Sequence, residues 1–333
     1  MRAPVGALLA LALAATPGCR RAAVDGGGAI ELKFGHVGAP GSLFALSAEE
    51  FARRVDQQLD GRVKVLVFGS SQLGGDETLL QKLKLGTVDF ALPSTIMSST
   101  IDEFGLFEMP YLVESREHMK RIEREIVWPT LEPVVERRGY KMIAVWENGF
   151  RHVTNNLRPI VRPDDLRGIK LRTPRGKWRV RMFQAFGANP TPMPLSEVFV
   201  ALQTGVMDGQ ENPLTQIYSS KFQEVQRFLS LTGHVYTPAF VMVSRKSWAK
   251  LPEDVRAALE EIARATQSFV YETAARLDVE LRAELEAAGV EVNEIDRESF
   301  AVASKPIYEE FATLVQDGGT LIEHALRLGT DAH

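Results

Sequence analysis

From residue 31 to 37 the chain reads ELKFGHV, apolar and polar side chains in alternation, which predicts a strand. A turn over 38–42 follows, and then the apolar period lengthens. Leu46, Phe51, Val55 and Leu59 fall on one side of a predicted helix over 46–59, closed by Gly61. Residues 63–68 (VKVLVF) predict a second strand. Strand, helix and strand in that order predict a parallel sheet with helices packed against it.

Gly74 and Gly75 then precede a predicted helix over 77–85, with Gly86 as its C-terminal stop, and a strand over 88–92. A fragment of this unit recurs. Leu80, Leu83, Gly86, Val88 and Asp89 have the same spacing as Phe199, Leu202, Gly205, Met207 and Asp208. In both places a helix with apolar positions three apart ends at glycine and turns into a strand that begins with aspartate. The chain therefore reads as two similarly built α/β lobes. Overlaying the units puts Pro93 opposite Asn212, each just beyond the carboxyl end of a strand, with both loops facing one crevice.

Between the units, 104–111 (FGLFEMPY) reads as core, 115–138 as helix with a solvated charged face interrupted near Pro129 and Pro133, and 142–146 as a buried strand. The run 147–155 changes character abruptly, and Gly149 supplies backbone freedom there. In the strand over 169–173, Ile169 and Leu171 take one face and Lys170 and Arg172 the other, and Pro174 ends it. Further on, a helix is expected over 214–222, then strands over 229–236 and 240–244 separated by Thr237-Pro238, where the chain can recross.

Pro252, Glu253 and Asp254 open a helix with acids in its first turn, where they favour the dipole. No glycine or proline interrupts from there to Ala288. At about 1.5 Å per residue the span is roughly 54 Å, longer than a small lobe is wide, so the helix either lies across both lobes or bends. Its stripe of Val255, Leu259, Ile262, Phe269, Leu277, Leu281 and Leu285 reads as packing. The tail, through 290–292 and helices around Tyr308 and Leu321, is expected to complete the second lobe.

Hydrophobic residues make up 45% of the 333, enough for a core in one large or two ordinary domains, which excludes a disordered chain. The net charge of -4 argues against a general nucleic-acid or anionic-membrane surface. Any anion site is therefore local. Arg172 suits one: the carboxyl end of a strand borders the ligand crevice in open α/β sheets, and a guanidinium matches a carboxylate bidentately. The rest of the basic cluster, Arg158, Arg162, Arg167, Arg175, Arg179 and Arg181, reads mostly as surface.

Catalytic patterns are thin. The sequence has no GxSxG, no Walker loop and no HExxH, and its six histidines are scattered without zinc-like spacing. Glu147 and His152 lie near enough in sequence to suggest an acid–base couple, but nothing else supports catalysis. No cofactor, no metal and no enzymatic activity are expected.

At the N-terminus, Arg2 precedes an apolar run over 5–15 and then Thr16-Pro17-Gly18-Cys19, the pattern of a targeting segment too short to span a bilayer as a mature helix. Cys19, the single cysteine, resembles the cleavage and lipidation site of a bacterial lipoprotein; ordinary secretion with cleavage is the alternative. No intrachain disulfide can form. The Gly-rich stretch to residue 29 reads as a flexible tether.

Three blocks in order, KLRTP at 170–174, GANPTPMPLSE at 187–197 and ALQTGVMDGQENP at 201–213, resemble the signature region of the extracytoplasmic solute-binding proteins of TRAP transporters. The likeness runs from about residue 31 to near the C-terminus. It implies a two-lobed α/β fold of the type II periplasmic-binding kind, each lobe a mixed sheet flanked by helices, with the long helix spanning both. The implied lobes are 30–148 with about 238–276, and 149–237 with about 277–333, with strand crossings near 148–152 and 236–239. The implied function is capture of a small organic acid outside the cytoplasm and delivery to sodium-driven TRAP membrane subunits, with no nucleic-acid partner and membrane contact only through a lipid anchor.

In the resemblance, Arg172 clamps the substrate carboxylate, Arg151 contacts the ligand from the crossing region, and Asn212 hydrogen-bonds the acid. Ser94 falls where the family has a polar contact, and Glu77, His36, Glu147 and Tyr236 are expected as cleft-wall residues. A ligand-sensing subunit of a receptor and a hydrolase acting on an acidic substrate remain as rival readings.

Overall fold

The computed structural model describes residues 28–330; the targeting segment with Cys19 and most of the tether lie outside the described residues. In chain order the strands are β1 (Ile30–Gly35), β2 (Val63–Phe68), β3 (Phe90–Ala91), β4 (Lys141–Phe150), β5 (His152–Asn155), β6 (Lys170–Thr173), β7 (Asn189–Pro192), β8 (Gly209–Asn212), β9 (Phe228–Ser230), β10 (Tyr236–Val243) and β11 (Glu291–Asn293). They form two mixed sheets, ordered β2-β1-β3-β10-β4 and β11-β9-β5-β8-β6-β7. Each sheet is the floor of one lobe, and the two-lobed α/β expectation holds.

The spaced recurrence in the sequence has a structural meaning. Gly86 and Gly205 both end their helices in the left-handed region, with φ of 78° and 71°. The aspartates that follow do the same work in each lobe. The backbone N–H of Lys33 donates to Asp89 Oδ2 (2.7 Å), and that of Lys170 donates to Asp208 Oδ2 (2.8 Å). Each aspartate so ties the start of β3 to β1 and the start of β8 to β6, strands that run parallel in their own sheets. The carboxyl ends of β3 and β8 then face each other across the gap between lobes.

The chain passes between lobes at Arg151, the one residue separating β4 from β5. It returns over 231–235, between β9 and β10, and at this point the two crossings touch: Arg151 N–H donates to Val235 O (3.0 Å). The expected break at Thr237-Pro238 is instead inside β10, which pairs antiparallel with β4 and shifts register between those two residues. A bulge tolerates the missing proline N–H, so the strand starts earlier than the sequence suggested. The strand expected over 229–236 shrinks to Phe228–Ser230, and the helix expected over 214–222 ends at Ser219, with Lys221 turned to a φ of 59°. Gly149, with φ of 123°, takes a conformation that side chains rarely adopt.

The helix Glu253–Ala287 is unbroken and spans both lobes. Val255, Leu259, Ile262 and Val270 are buried in the cluster that also holds Phe34, Phe51 and Trp146 of the first lobe. Leu281 and Leu285 are buried with Val198, Leu202 and Phe222 of the second. Each such side chain contributes about 1.5–3 kcal/mol when fully buried, so neither half of the helix is free to leave its lobe.

The tail departs from expectation. Phe300 packs in the second lobe, but Ile307, Phe311, Leu321, Ile322 and Ala325 join the cluster built on Phe104, Met119 and Ile126 of the first. The last helix, Gly318–Thr330, is held there because helix Arg116–Ile122 caps its carbonyls: Arg121 Nε donates to Leu328 O (2.6 Å), and His118 Nε2 lies 2.8 Å from Ala325 O. The lobes also meet at Gly105, where a Cβ would lie 2.5 Å from the Trp178 ring and 2.7 Å from Phe311. Gly105→Ala is therefore expected to lower stability by about 1–3 kcal/mol through overpacking, read as a reduced midpoint in urea unfolding. An unchanged midpoint would show that Trp178 has room to move.

Candidate functional site

The carboxyl ends of the central strands deliver polar side chains to one gap between the lobes. A cavity of about 40 Å³ is lined from the first lobe by Val37, Phe44, Asp76, Ser94, Thr95 and Asn148, and from the crossing and second lobe by Arg151, Arg172, Pro174, Leu195, Asn212 and Gln216. It adjoins a larger, outer cavity of about 240 Å³ that shares Asp76, Arg172, Pro174 and Leu195 and is edged by the exposed side chains of Glu77, Thr78, Arg175 and Glu197. Of the expected residues, Arg172, Arg151, Asn212 and Ser94 line the inner cavity.

Arg172, 3% exposed, lies on β6 in the orientation that alternation with Leu171 predicts. Its Nε and Nη2 both donate to Met193 O, at 2.9 and 2.6 Å, while Nη1 donates to no acceptor among the described residues. No carboxylate among the described residues accepts a hydrogen bond from it. Burial pushes the guanidinium down to about 9, against the pull of Glu211 and Asp76. A dry cation without a bonded counter-ion is the condition under which a visiting anion is held most tightly.

Arg151 is also buried and also fixed along one edge. Its Nε donates to Glu211 Oε2 (2.5 Å), and Nη2 donates to Glu211 Oε1 (3.0 Å), Glu211 O (2.7 Å) and Asn212 Oδ1 (2.9 Å), leaving Nη1 without an acceptor among the described residues. Asn212 is oriented in turn, its Nδ2 donating to Gln210 Oε1 (2.5 Å). The Ser94 hydroxyl donates to Pro238 O (2.7 Å) and accepts from Asn148 Nδ2 (3.2 Å).

Behind these residues lies a buried charge network. Glu211 Oε2 also accepts from Arg179 Nη1 (2.6 Å) and from His234 Nε2 (3.1 Å), and Arg179 Nε donates to Glu108 Oε2 (2.7 Å). Burial would raise the Glu211 carboxyl, but Arg151 and Arg179 hold it well below the usual range. Burial lowers His234 to about 4, so the neutral ring donates from Nε2 and accepts at Nδ1 from Thr232 Oγ1 (2.8 Å). Arg179, read as surface from the sequence, is fully buried, because its partners Glu108 and Glu211 come from far along the chain.

Three other expected wall residues, His36, Glu147 and Tyr236, are placed elsewhere, two of them by one position. His36 packs edge-on to Phe44 (6.4 Å) with both ring nitrogens unpartnered, and its neighbour Val37 lines the cavity instead. Glu147 faces the back of the hinge, where Arg116 binds it bidentately (2.7 and 2.8 Å) and also Asp278 of the spanning helix (2.6 Å); Asn148 takes the cleft side. Successive strand residues face opposite ways, so a one-residue choice inverts the outcome. Glu77 is on the wall as expected, lining the larger cavity and paired across the cleft with Arg175 (3.1 Å), while its neighbour Asp76 lines both cavities. Tyr236 packs on Phe150 (5.0 Å) in the first-lobe core. The couple of Glu147 with His152 does not form either, since His152 Nδ1 accepts from Gly233 N–H (3.1 Å).

Residues 34–314 match the family model described as bacterial extracellular solute-binding protein, family 7. The chain belongs to that family. It is 36% identical to a solute-binding protein of Roseobacter denitrificans, over 82% of this chain and 84% of that protein. Among solved structures, it resembles the sugar acid binding protein of Advenella mimigardefordensis in complex with galactonate, at 32% identity and a TM-score of 0.88 over 92% of this chain and 99% of that one. It also resembles a TRAP periplasmic solute-binding protein from Sulfurospirillum deleyianum with bound succinate, at 31% identity and a TM-score of 0.86 over 90% and 99%. Family members of this kind are periplasmic binding proteins of TRAP transporters and not enzymes. No helix among the described residues is long and apolar enough to cross a membrane.

Glu211→Gln would leave two buried guanidiniums short of their anion, and is expected to cost about 3–5 kcal/mol in chemical denaturation. The sign with pH follows from the depressed carboxyl: its stabilisation is full above the ordinary value of 4.5 and is lost as pH falls below it. The wild type should therefore lose stability on acidification through this range more steeply than the variant. Parallel pH profiles of the two proteins would refute the ionised role of Glu211.

Proposed function

We propose that this protein binds a small organic acid, a carboxylate of the sugar-acid or related class, and delivers it to the membrane subunits of a TRAP-type transporter. The observation that carries the reading is that Arg172 and Arg151, both buried and both with an unclaimed Nη1, line one cavity with Asn212 between two lobes. The ligands bound in solved relatives, galactonate and succinate among them, support the same class.

In this reading Arg172 makes the charge-assisted pair with the ligand carboxylate, Arg151 adds positive field and a donor, and Asn212 with Ser94 and Asn148 orients the rest. Hydrogen bonds to a charged group contribute about 1.5–3 kcal/mol each, enough to select acids over neutral analogues. Because the lining comes from both lobes, a ligand makes its full set of contacts only when they approach. It thus favours the closed arrangement by its differential affinity, and the permease recognises that arrangement. The salt bridge Glu77–Arg175 (3.1 Å), which crosses the mouth, would form in the same step.

The N-terminal segment 1–19 is taken as a signal peptide that directs export, with Cys19 as the site of lipid attachment and the following Gly-rich residues as the tether. The lobe boundaries in this reading follow the strand crossings, at Arg151 and over 231–235.

Arg172→Ala is expected to weaken binding of the cognate acid by about 2–5 kcal/mol, the range for truncating one partner of a buried charged pair. Arg158→Ala, whose side chain instead binds the Asp165 and Arg167 carbonyls, should leave affinity unchanged. Calorimetry showing less than a threefold loss for Arg172→Ala would reject the site.

A further inference from the structure

Asp76 is the one carboxylate that lines both the inner and the outer cavity. It opens the helix Asp76–Leu85, whose start is aimed at the gap between lobes. Neither of its oxygens accepts a hydrogen bond from any described residue, although the neighbouring acids Glu77, Glu108 and Glu211 are all bonded to arginine. Burial pushes its carboxyl up to about 6 against the pull of Arg172. So the cavity presents, side by side, a cation with a free N–H and a carboxylate with free acceptor capacity.

A ligand satisfies both only if it brings an anion for Arg172 and O–H donors for Asp76. Its second charge, if it had one, would meet Asp76 inside and Glu197 outside, while Arg175 is already paired with Glu77. Arg151 and Arg179 are likewise matched by Glu211 and Glu108, so the site offers no second unpaired guanidinium. A carboxylate held away from Arg172 would be desolvated next to like charge. The room beyond Asp76, about 240 Å³ and edged by the hydroxyls of Thr78 and Ser196, suits a longer hydroxylated tail.

We propose that Asp76 sets specificity at this site, accepting hydrogen bonds from ligand hydroxyls beside Arg172 so that the protein takes polyhydroxylated monocarboxylates and rejects dicarboxylates. The proposal rests on the organic-acid reading above and narrows it, since the relatives described include both a galactonate and a succinate complex.

The test is calorimetric titration of the purified protein with four- to six-carbon aldonates (erythronate, gluconate, galactonate), with succinate, and with hexanoate, which has the carboxylate and chain length but no hydroxyls. The tightest aldonate should bind at least about tenfold more tightly than succinate or hexanoate, the effect of one hydrogen bond to a charged group. Asp76→Ala should remove about that factor for the aldonate, leave hexanoate within threefold, and improve succinate. Asp76→Asn, nearly isosteric, should also improve succinate and serves if the alanine variant folds poorly; melting of both variants without ligand checks this. Succinate binding as tightly as the best aldonate in the wild type, or a uniform loss for all acids in the variants, would overturn the role of Asp76 while leaving the acid site standing. No binding of any acid, or binding indifferent to Arg172→Ala, would instead remove the reading on which it rests.

Discussion

Two guanidiniums buried side by side need a carboxylate bonded to both, and at the crossing that carboxylate is Glu211. One carboxylate oxygen takes donors from Arg151, Arg179 and His234, and the other takes a second bond from Arg151. The geometry is possible because β8 ends here, antiparallel to β5, with Val153 opposite Glu211 and His152 opposite Asn212. Arg151 is therefore delivered to Glu211 by the strand that crosses between lobes, and Arg179 by the helix that follows β6. Neutralising these two sets Arg172 apart as the guanidinium of the cavity that no carboxylate binds. Most of the positive charge at the crossing is structural, and the remainder is available to a ligand.

The same network lies at the pivot. Arg151 is both the residue between β4 and β5 and the one whose backbone touches the returning strand at Val235. Arg179 reaches from the second lobe to Glu108, which belongs to a segment packed in the first. On the other face of β4, Arg116 binds Glu147 and Asp278, so the spanning helix is pinned to the strand just before the crossing. Buried ion pairs of this kind add little net stability over apolar packing but lose much when one partner goes, which suits them to fixing a geometry. Besides the two strand crossings, the lobes are joined by the spanning helix and by the helix that carries Phe300 in the second lobe and Ile307 and Phe311 in the first.

The two lobes repeat one device, a helix ended by left-handed glycine and a strand begun by an aspartate that accepts from its parallel neighbour. The repeat brings the ends of β3 and β8 to opposite walls of the same gap, where Ser94 and Asn212 follow. Asp76 occupies the matching start of a helix in the first lobe. Recognition is split between walls: the cations come from the second lobe and the crossing, and the free acceptor from the first. A ligand that bridges them draws the walls together by the same contacts that identify it.

Periodicity alone gave the strands β1, β2 and β6, the glycine stops, the existence of a long helix after Pro252 and the repeat, because these depend on near neighbours and on how side chains alternate along one element. It also placed Arg172, since a strand with Ile169 and Leu171 buried must turn that arginine the other way. Tertiary structure decided which wall each strand end shows to the cleft. Alternation fixes the relative phase of His36 and Val37, or of Glu147 and Asn148, but the absolute phase is set by what packs behind the sheet, and here Arg116 and Asp278 claim Glu147. Tertiary structure likewise decided that Arg179 is buried and that the last helix belongs with the first lobe. The charge of Arg179 is matched by Glu108, 71 residues away, and the carbonyls of the last helix by His118 and Arg121, 207 residues away. No local pattern encodes contacts at such separations; they exist only once the chain has closed on itself.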